Sequence, residues 1–474
     1  MSRRPRTSVV VACALGLAGA LAPDARAQRP TFEGGAEPAF HDGAEGLVRV
    51  HYATTAGDAV PPDDADEDAV PDFVEEVAEL AEVSWQDLIG RGFRPPVGDG
   101  AQPAGENGGD GRFDIYLVDF AQADGNFVAE VCTEAPPIHC SGFFTMDNDL
   151  AEFGYDSTTE GISVLTSHEL FHAVQAAYSI DASQAWSEGT AVWNEEVTFP
   201  EQDDYERFTQ AFLSRSSRPF ERGGSGFGDP YVYGAAVWPT FLDERYGDGV
   251  VRRSWEAMEA IGPGADFLDA IDQVMAEDGA SMTSAWIEFT RWNLLTGARA
   301  DAERSYAAGA GLGEVTFEEA LFGPGEAETS IIGMSARYLP VAAASAEPLA
   351  ISVEVDEGGA AAAFYPQASA GGPLGDPVEL VGEGVLSASL PSEAGFLVVT
   401  GTRRGGLPRN TRVAIAVDDD PPDDGAGPED DEGGCQAARS GSGRVPGTVA
   451  SLLAVLVPLV RRPGRRHHRA GGRA

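Results

Sequence analysis

Two histidines stand four apart in TSHELFHAVQAAYS, residues 166–179, with a glutamate directly after the first. On a helix, His168 and His172 lie one turn apart and aim their imidazoles the same way. Imidazole ligates zinc, and Glu169 would reach the side of whatever the two rings hold. The pattern HExxH on a helix therefore supplies two metal ligands and a carboxylate able to deprotonate a metal-bound water. A catalytic zinc takes three protein ligands and keeps a fourth position for water or substrate. The other histidines are His41, His51, His139, His467 and His468, and only the last two, in an arginine-rich tail, follow His172. A downstream third ligand must then be a carboxylate, and Glu188 in AWSEGTAVWNEE meets that need.

Hydrolysis of an amide also needs a donor for the oxyanion that develops on the carbonyl. No usable histidine lies downstream to serve, and a tyrosine or an arginine can supply such a donor. DPYVYGAAVWPTF places Tyr231 and Tyr233 after Glu188, and Tyr233 is the favoured candidate. Packing between helices is the alternative for both rings.

Helices must hold these groups. STTEGISVLTSHELFHAVQAAYS carries a start signal at Ser157, with Glu160 three residues later as a capping box. Ile162, Leu165, Phe171, Val174 and Tyr178 then recur at helical spacing. The Glu188 segment reads as a second helix laid across the first. Upstream, SGFFTMDND alternates and reads as an edge strand.

HELFH followed by WSEGTA resembles the gluzincin metallopeptidases, above all the HExxH … WLNEGFA signature of their aminopeptidase branch. Residues 46–300 as a whole resemble secreted metalloproteases of myxobacteria. The resemblance implies an exported zinc metallopeptidase of α+β, zincin-like fold, a small sheet feeding a mainly helical half, with a protein or peptide as substrate. It implies His168, His172 and Glu188 as ligands of Zn2+ and Glu169 as the general base. It also implies that the edge strand takes up substrate backbone by strand addition. Met146–Asn148 carries Asp147 where the aminopeptidase branch has a glutamate, so exopeptidase activity is not implied.

A second constellation starts at Asp64 in DADEDAVPDFVE. Asp64, Asp66, Asp68, Asp72 and Glu75 fall at positions 1, 3, 5, 9 and 12 of a calcium loop, with the Val70 carbonyl at position 7. Ala69 stands where such a loop has glycine, and the preceding GLVRVHYAT reads as a strand. The expectation is an acidic Ca2+ turn leading into the helix PDFVEEVAELAEVSWQDLI, with a solvated acidic linker as the alternative.

The 474 residues include 76 acidic side chains against 32 arginines and no lysine, a formal charge of −44. That charge repels a phosphate backbone and excludes nucleic acid as a partner. Residues 1–27 read as a signal peptide: Arg3, Arg4 and Arg6, the apolar SVVVACALGLAGALA, then ARA ahead of Gln28. In an exported chain Cys132 and Cys140, in VCTEAPPIHC, are expected to form a disulfide, a metal site with His139 being the alternative. The metallopeptidase domain is expected over 28–334. From 335 to 417 the short alternating runs LAISVEV, AAAAFYP, GFLVVTG and RVAIAVD give a small β-sandwich for display, docking or simple packing.

An acidic Pro/Gly linker occupies 418–434, and 435–474 hold Cys435, the apolar VPGTVASLLAVLVPLV and an arginine cluster. That apolar run falls short of the ~20 residues of a bilayer span and contains Pro458. The tail resembles the C-terminal sorting tails of myxobacterial surface proteins. This implies an extracellular or cell-surface location in a Gram-negative bacterium, membrane contact through the tail alone, and Cys435 as a lipid or sorting site. A simple anchor is the alternative. Two function classes follow: an exported zinc metalloprotease, and an inactive metallopeptidase-like surface binding or adhesion protein stabilised by calcium. The intact set of His168, Glu169, His172 and Glu188 favours the first.

Overall fold

The computed structural model describes residues 28–418, apart from 36–37, 101, 103–105, 121–122, 203–204, 225–227, 248, 344–349, 356–358, 383–384, 390–393 and 405–409. The expected signal peptide, the linker beyond 418 and the Cys435 tail lie outside the described residues. The architecture is α+β.

The first half builds one five-stranded sheet from β1 (Ala39–Asp42), β2 (Val48–Tyr52), β3 (Phe113–Val118), β4 (Gly125–Cys132) and β5 (Cys140–Asp147), in the order β1-β2-β3-β5-β4. β2, β3 and β5 are parallel, and β1 and β4 are antiparallel edges. SGFFTMDND, expected at an edge, is the core of β5, which lies between β3 and β4 and is buried along its whole length. Its polar Ser141, Thr145 and Asp147 imitate the alternation of a half-exposed strand, yet both of its faces are covered. The actual edge is β4, GNFVAEVC, which is only intermittently buried. Cys132 and Cys140 pair as a disulfide at the β4–β5 turn, as expected.

One face of this sheet carries α1 (Asp72–Gly90) and α2 (Thr158–Ala176). Val50, Ile115, Phe144 and Met146 from the strands meet Val74, Val77, Ile162 and Leu165 from the helices in one apolar core. The core continues into α3 (Gln184–Thr198), α4 (Glu206–Leu213), α5 (Pro230–Gly234), α6 (Val237–Tyr246), α7 (Val250–Ile261), α8 (Phe267–Glu277) and α9 (Met282–Leu294). Its centre is aromatic: Phe220 stacks on Trp286, and Trp238 meets Phe241 and Phe289.

The C-terminal part contains β6 (Leu321–Gly323), β7 (Gly325–Ile332), β8 (Ala336–Ala343), β9 (Ala350–Val355), β10 (Ala360–Pro366), β11 (Val378–Leu380), β12 (Val385–Ser389), β13 (Ala394–Gly401) and β14 (Asn410–Asp418). They form two sheets, β11-β10-β13-β8-β6 and β12-β9-β14-β7, that face each other across a core including Ile351, Val353, Phe364, Leu397 and Ile415. These sheets begin at Leu321, ahead of the expected residue 335. β7 reads GEAETSII, and its glutamates alternate with small residues on an outer edge, so it lacks the apolar alternation of its neighbours. β13 is covered on both sides: Leu397 and Val399 face the sandwich core, while Val398 joins the main core. The Tyr338 hydroxyl donates to Thr290 O at 2.7 Å, tying the sandwich to α9.

Candidate metal centre

Helix α2 starts where the sequence signals it. The Ser157 side chain accepts from Glu160 N at 3.1 Å, while the Glu160 carboxylate reaches back one residue further than a capping box requires, to Asp156 N. From Gly161 to Ala176 the helix is buried all round, because the sheet covers one side and the helical half the other. Polar side chains on it must find partners inside the protein. Ser163, Thr166 and Ser167 do so on carbonyls of the preceding turn.

His168 and His172 point the same way from this helix, their Nε2 atoms 3.0 Å apart. From α3, which packs against α2, Glu188 Oε2 approaches them at 3.3 and 3.5 Å. Each of the three residues is 2% exposed. The far side of each ring is also held: His168 Nδ1 lies 2.5 Å from Glu195 Oε1, and His172 Nδ1 lies 2.9 Å from Gln175 Oε1. The Gln175 amide is oriented in turn, its Nε2 donating to Ser187 O and Thr190 Oγ1 while its Oε1 accepts from Ser187 Oγ. Both partner oxygens are acceptors, so the network puts a proton on each Nδ1 and a lone pair on each Nε2. Two lone pairs and a carboxylate oxygen then face one another in a dry interior, an arrangement that a cation relieves. Metal–ligand bonds of about 2.0–2.1 Å at tetrahedral angles set ligand atoms roughly 3.3 Å apart. The donor set and its spacing fit zinc. Burial pushes the Glu188 carboxyl up, but positive charge set beside it outweighs burial and holds the group at about 2, so it faces the two Nε2 atoms as a carboxylate.

Glu169 is fully buried on the same helix. It lies against the first residue of the edge strand, since a Cβ on Gly125 would come within 3.0 Å of Glu169 Oε1. Tyr233 is beside the ligands as well, its ring centroid 6.3 Å from that of His168. Tyr231, the other candidate, packs instead on Phe212 at 4.9 Å and under the Arg218 guanidinium at 4.1 Å. His168, His172, Glu188, Glu169 and Tyr233 are thus brought together. Glu195 and Gln175 were not singled out as supports from sequence. The signals were there: Glu195 follows Glu188 by two helical turns on one face of α3, and Gln175 follows His172 by three residues.

The acidic loop is only partly assembled. Carboxylate oxygens of Asp64, Asp66 and Asp68 lie within 4.8 Å of one another, and Asp72 and Glu75 are not in that group. Pro71 starts α1 immediately after the loop, which puts Asp72 and Glu75 in its first turn, where Asp72 Oδ1 accepts from Ala65 N at 2.9 Å. Ala69 adopts the left-handed conformation, at φ 77°, that the glycine of such a loop supplies.

No family model and no curated protein matches this chain. Among solved structures, the pre-peptidase C-terminal domain of a collagenase from Bacillus anthracis matches 22% of this chain and 96% of its own length, at 16% identity and a TM-score of 0.18. The periplasmic inhibitor of g-type lysozyme from Aeromonas hydrophila matches 22% of this chain and 99% of its own, at 11% identity and a TM-score of 0.16. The corresponding Salmonella Typhimurium inhibitor matches 21% and 98%, at 19% identity and the same score. Likenesses of this size carry no inference about fold or activity, and the metal centre stands on its own geometry.

Proposed function

We propose that this protein is an exported zinc-dependent metallopeptidase of the gluzincin type, hydrolysing peptide bonds. The observation that carries the reading is the convergence of His168 Nε2, His172 Nε2 and Glu188 Oε2 within 3.0–3.5 Å, each imidazole held from behind. Zinc held there would supply a Lewis acid and lower the pKa of water to about 7. Glu169 takes the proton of the attacking water and passes it to the leaving amine. Tyr233 donates to the developing oxyanion. Glu195 and Gln175 fix the tautomer and direction of the two imidazoles. β4, an edge strand starting beside Glu169, offers main-chain groups to an extended substrate. The zincin-like reading of the catalytic half is supported by this antiparallel edge lying over α2, with α3 crossing behind it.

One observation favours a second reading, an inactive surface-binding protein in which the metal only staples α2 to α3: the ligands are nearly sealed from solvent. The two separate in one experiment on the full chain, comparing zinc-loaded wild type with Glu169→Gln on an unfolded protein substrate. The expected outcome is one zinc per chain in both, with cleavage at least about 100-fold slower in the variant, the usual worth of a general base. Stoichiometric zinc in both with no cleavage by either would leave the binding protein as the answer.

A further inference from the structure

α1 and α2 lie on one face of the five-stranded sheet. By alternation, Tyr116 of β3 and Phe143 of β5 point to the other. There they cluster with Ala53 and with Phe32 of the irregular segment 28–32, apart from the main core. The same segment sends Arg29 into a pocket of three buried carboxylates. Its Nε donates to Glu130 Oε1 at 2.9 Å, its Nη2 to Glu130 Oε2 at 2.8 Å and to Asp99 Oδ2 at 2.5 Å, and its Nη1 to Asp114 Oδ2 and, at 3.1 Å, to the Tyr116 hydroxyl. A guanidinium has five N–H donors, and each finds an acceptor here. The Tyr116 and Phe143 rings flank its Cζ at 6.0 and 5.5 Å.

Each wall of the pocket is separately shaped. Glu130 is the extra residue of a β-bulge between Ala129 and Val131, the device by which a strand re-aims a side chain. Asp114 is held from behind by His51, whose Nε2 lies 2.7 Å from its Oδ1 and whose ring stacks on Tyr116 at 4.4 Å. The turn GENGGDG closes over Asp114: at Gly108, φ 63°, a Cβ would come within 2.2 Å of the carboxylate, so only glycine serves. Asp99 Oδ1 is buried with no hydrogen-bond partner among the described residues. Three carboxylates against one guanidinium exceed what neutrality needs, so the pocket draws a cation strongly.

We propose that Asp99, Asp114, Glu130 and Tyr116 form a guanidinium-binding site, that the N-terminal segment is its ligand within the same chain, and that filling it fastens the edge strand β4 to the sheet. Bonds to Asp114 and Tyr116 anchor the guanidinium on β3, the Phe143 ring lies beside it on β5, and the paired bonds to Glu130 reach β4. One side chain thus spans three strands. An ammonium presents its three donors from one point and cannot make this set. Loss of the segment, as by trimming of the N-terminus, would leave three buried carboxylates without their cation. Their repulsion would loosen the strand whose first residue, Gly125, abuts Glu169. The site does not rest on the metallopeptidase reading.

The test uses the full chain carrying Arg29→Ala and three small solutes. Methylguanidinium has the shape and charge of the lost group, methylammonium the charge alone, and methylurea the shape alone. Arg29→Ala should melt about 5 °C below wild type, the size expected when buried charges lose their partner in a chain of this length. Methylguanidinium at about 10 mM should restore about 2 °C, as a ligand with a dissociation constant of about 1 mM would. It should also slow amide hydrogen exchange in Gly125–Cys132. Methylammonium and methylurea should do neither, and wild type, with its site filled, should respond to none of the three. If Arg29→Ala does not fold, Arg29→Lys, which keeps the charge, takes its place and should melt below wild type; equal melting would overturn the preference for guanidinium. An Arg29→Ala chain as stable as wild type, or one that methylammonium restores equally well, overturns the proposal. Restored melting without slower exchange in β4 would overturn the fastening of the edge strand.

Discussion

His168, His172 and Glu188 are each 2% exposed, whereas Asp66 and Asp68 stand in solvent with Asp64 half-buried beside them. In the sequence both groups have the spacing of metal ligands, and in the fold both come together. What differs is the support behind the ligand atoms. In the buried group each histidine gives its far nitrogen to Glu195 or Gln175, which leaves Nε2 with no role except toward its neighbours. In the exposed group the carboxylates are already occupied by the loop's own backbone: Asp64 accepts from Ala69 N at 3.0 Å and Asp68 from Val70 N at 2.8 Å. Side chains that cap their own turn have a use without an ion. Dry, inward-facing lone pairs do not.

The sharpest way to break this contrast is to remove a ligand from the buried group. Glu188→Ala should lower zinc affinity by more than about 100-fold, beyond what supporting residues cost, and metal content after dialysis measures it. Full zinc retention would show that the trio is not the ligand set. Next in size is the support itself. Glu195→Gln keeps an acceptor for His168 Nδ1 but removes its charge, and should weaken zinc binding by about 10-fold, read by competition with a coloured chelator. If Glu195→Gln changes nothing, the difference between the two groups is burial alone.

How far this could be read from the chain follows the same division. His168, Glu169 and His172 were legible because helical spacing is local, and Glu188 because a census of histidines leaves a carboxylate. Glu195 and Arg29 were not, because side chains that support or fill a site are fixed by which elements meet. Strand order was hidden for a related reason. Alternation reports which residues face inward, and it cannot say that β4 rather than β5 ends the sheet. The glutamates of β7 hid a strand that the sandwich uses at its edge.

Between the two extremes lies a third acidic group, buried but held by an arginine. The Arg29 guanidinium binds Asp99 at 2.5 Å and Glu130 at 2.8 Å, and also binds Asp114, so three carboxylates share one cation. Burial, and then the charge of Asp114, push the Asp99 carboxyl up to about 6, with Arg29 opposing. The folded state therefore holds this proton more tightly than the unfolded chain. The stability it confers is complete below the ordinary aspartate range and is lost as pH rises toward 6. Asp99→Asn, which keeps an acceptor for Arg29, should be more stable than wild type at pH 7 by on the order of 1 kcal/mol, with the advantage vanishing near pH 4. Melting curves of the pair at both values decide it. A variant less stable at pH 7 would mean that Arg29 balances all three charges.

The smallest effect is expected at the exposed loop. Extracellular calcium modules bind with dissociation constants of about 0.1–1 mM, and a site whose carboxylates already cap backbone amides belongs at the weak end. At 1 mM calcium, binding with a constant of about 1 mM stabilises the folded state by only about 0.4 kcal/mol. For a chain of this size that is a rise in melting temperature of about 1 °C or less. Asp66→Asn should abolish it while leaving zinc content untouched, since the two groups share no residue. A rise of several degrees, lost in Asp66→Asn, would break the contrast: the three aspartates would then hold an ion despite their exposure, and spacing alone would have been the better guide.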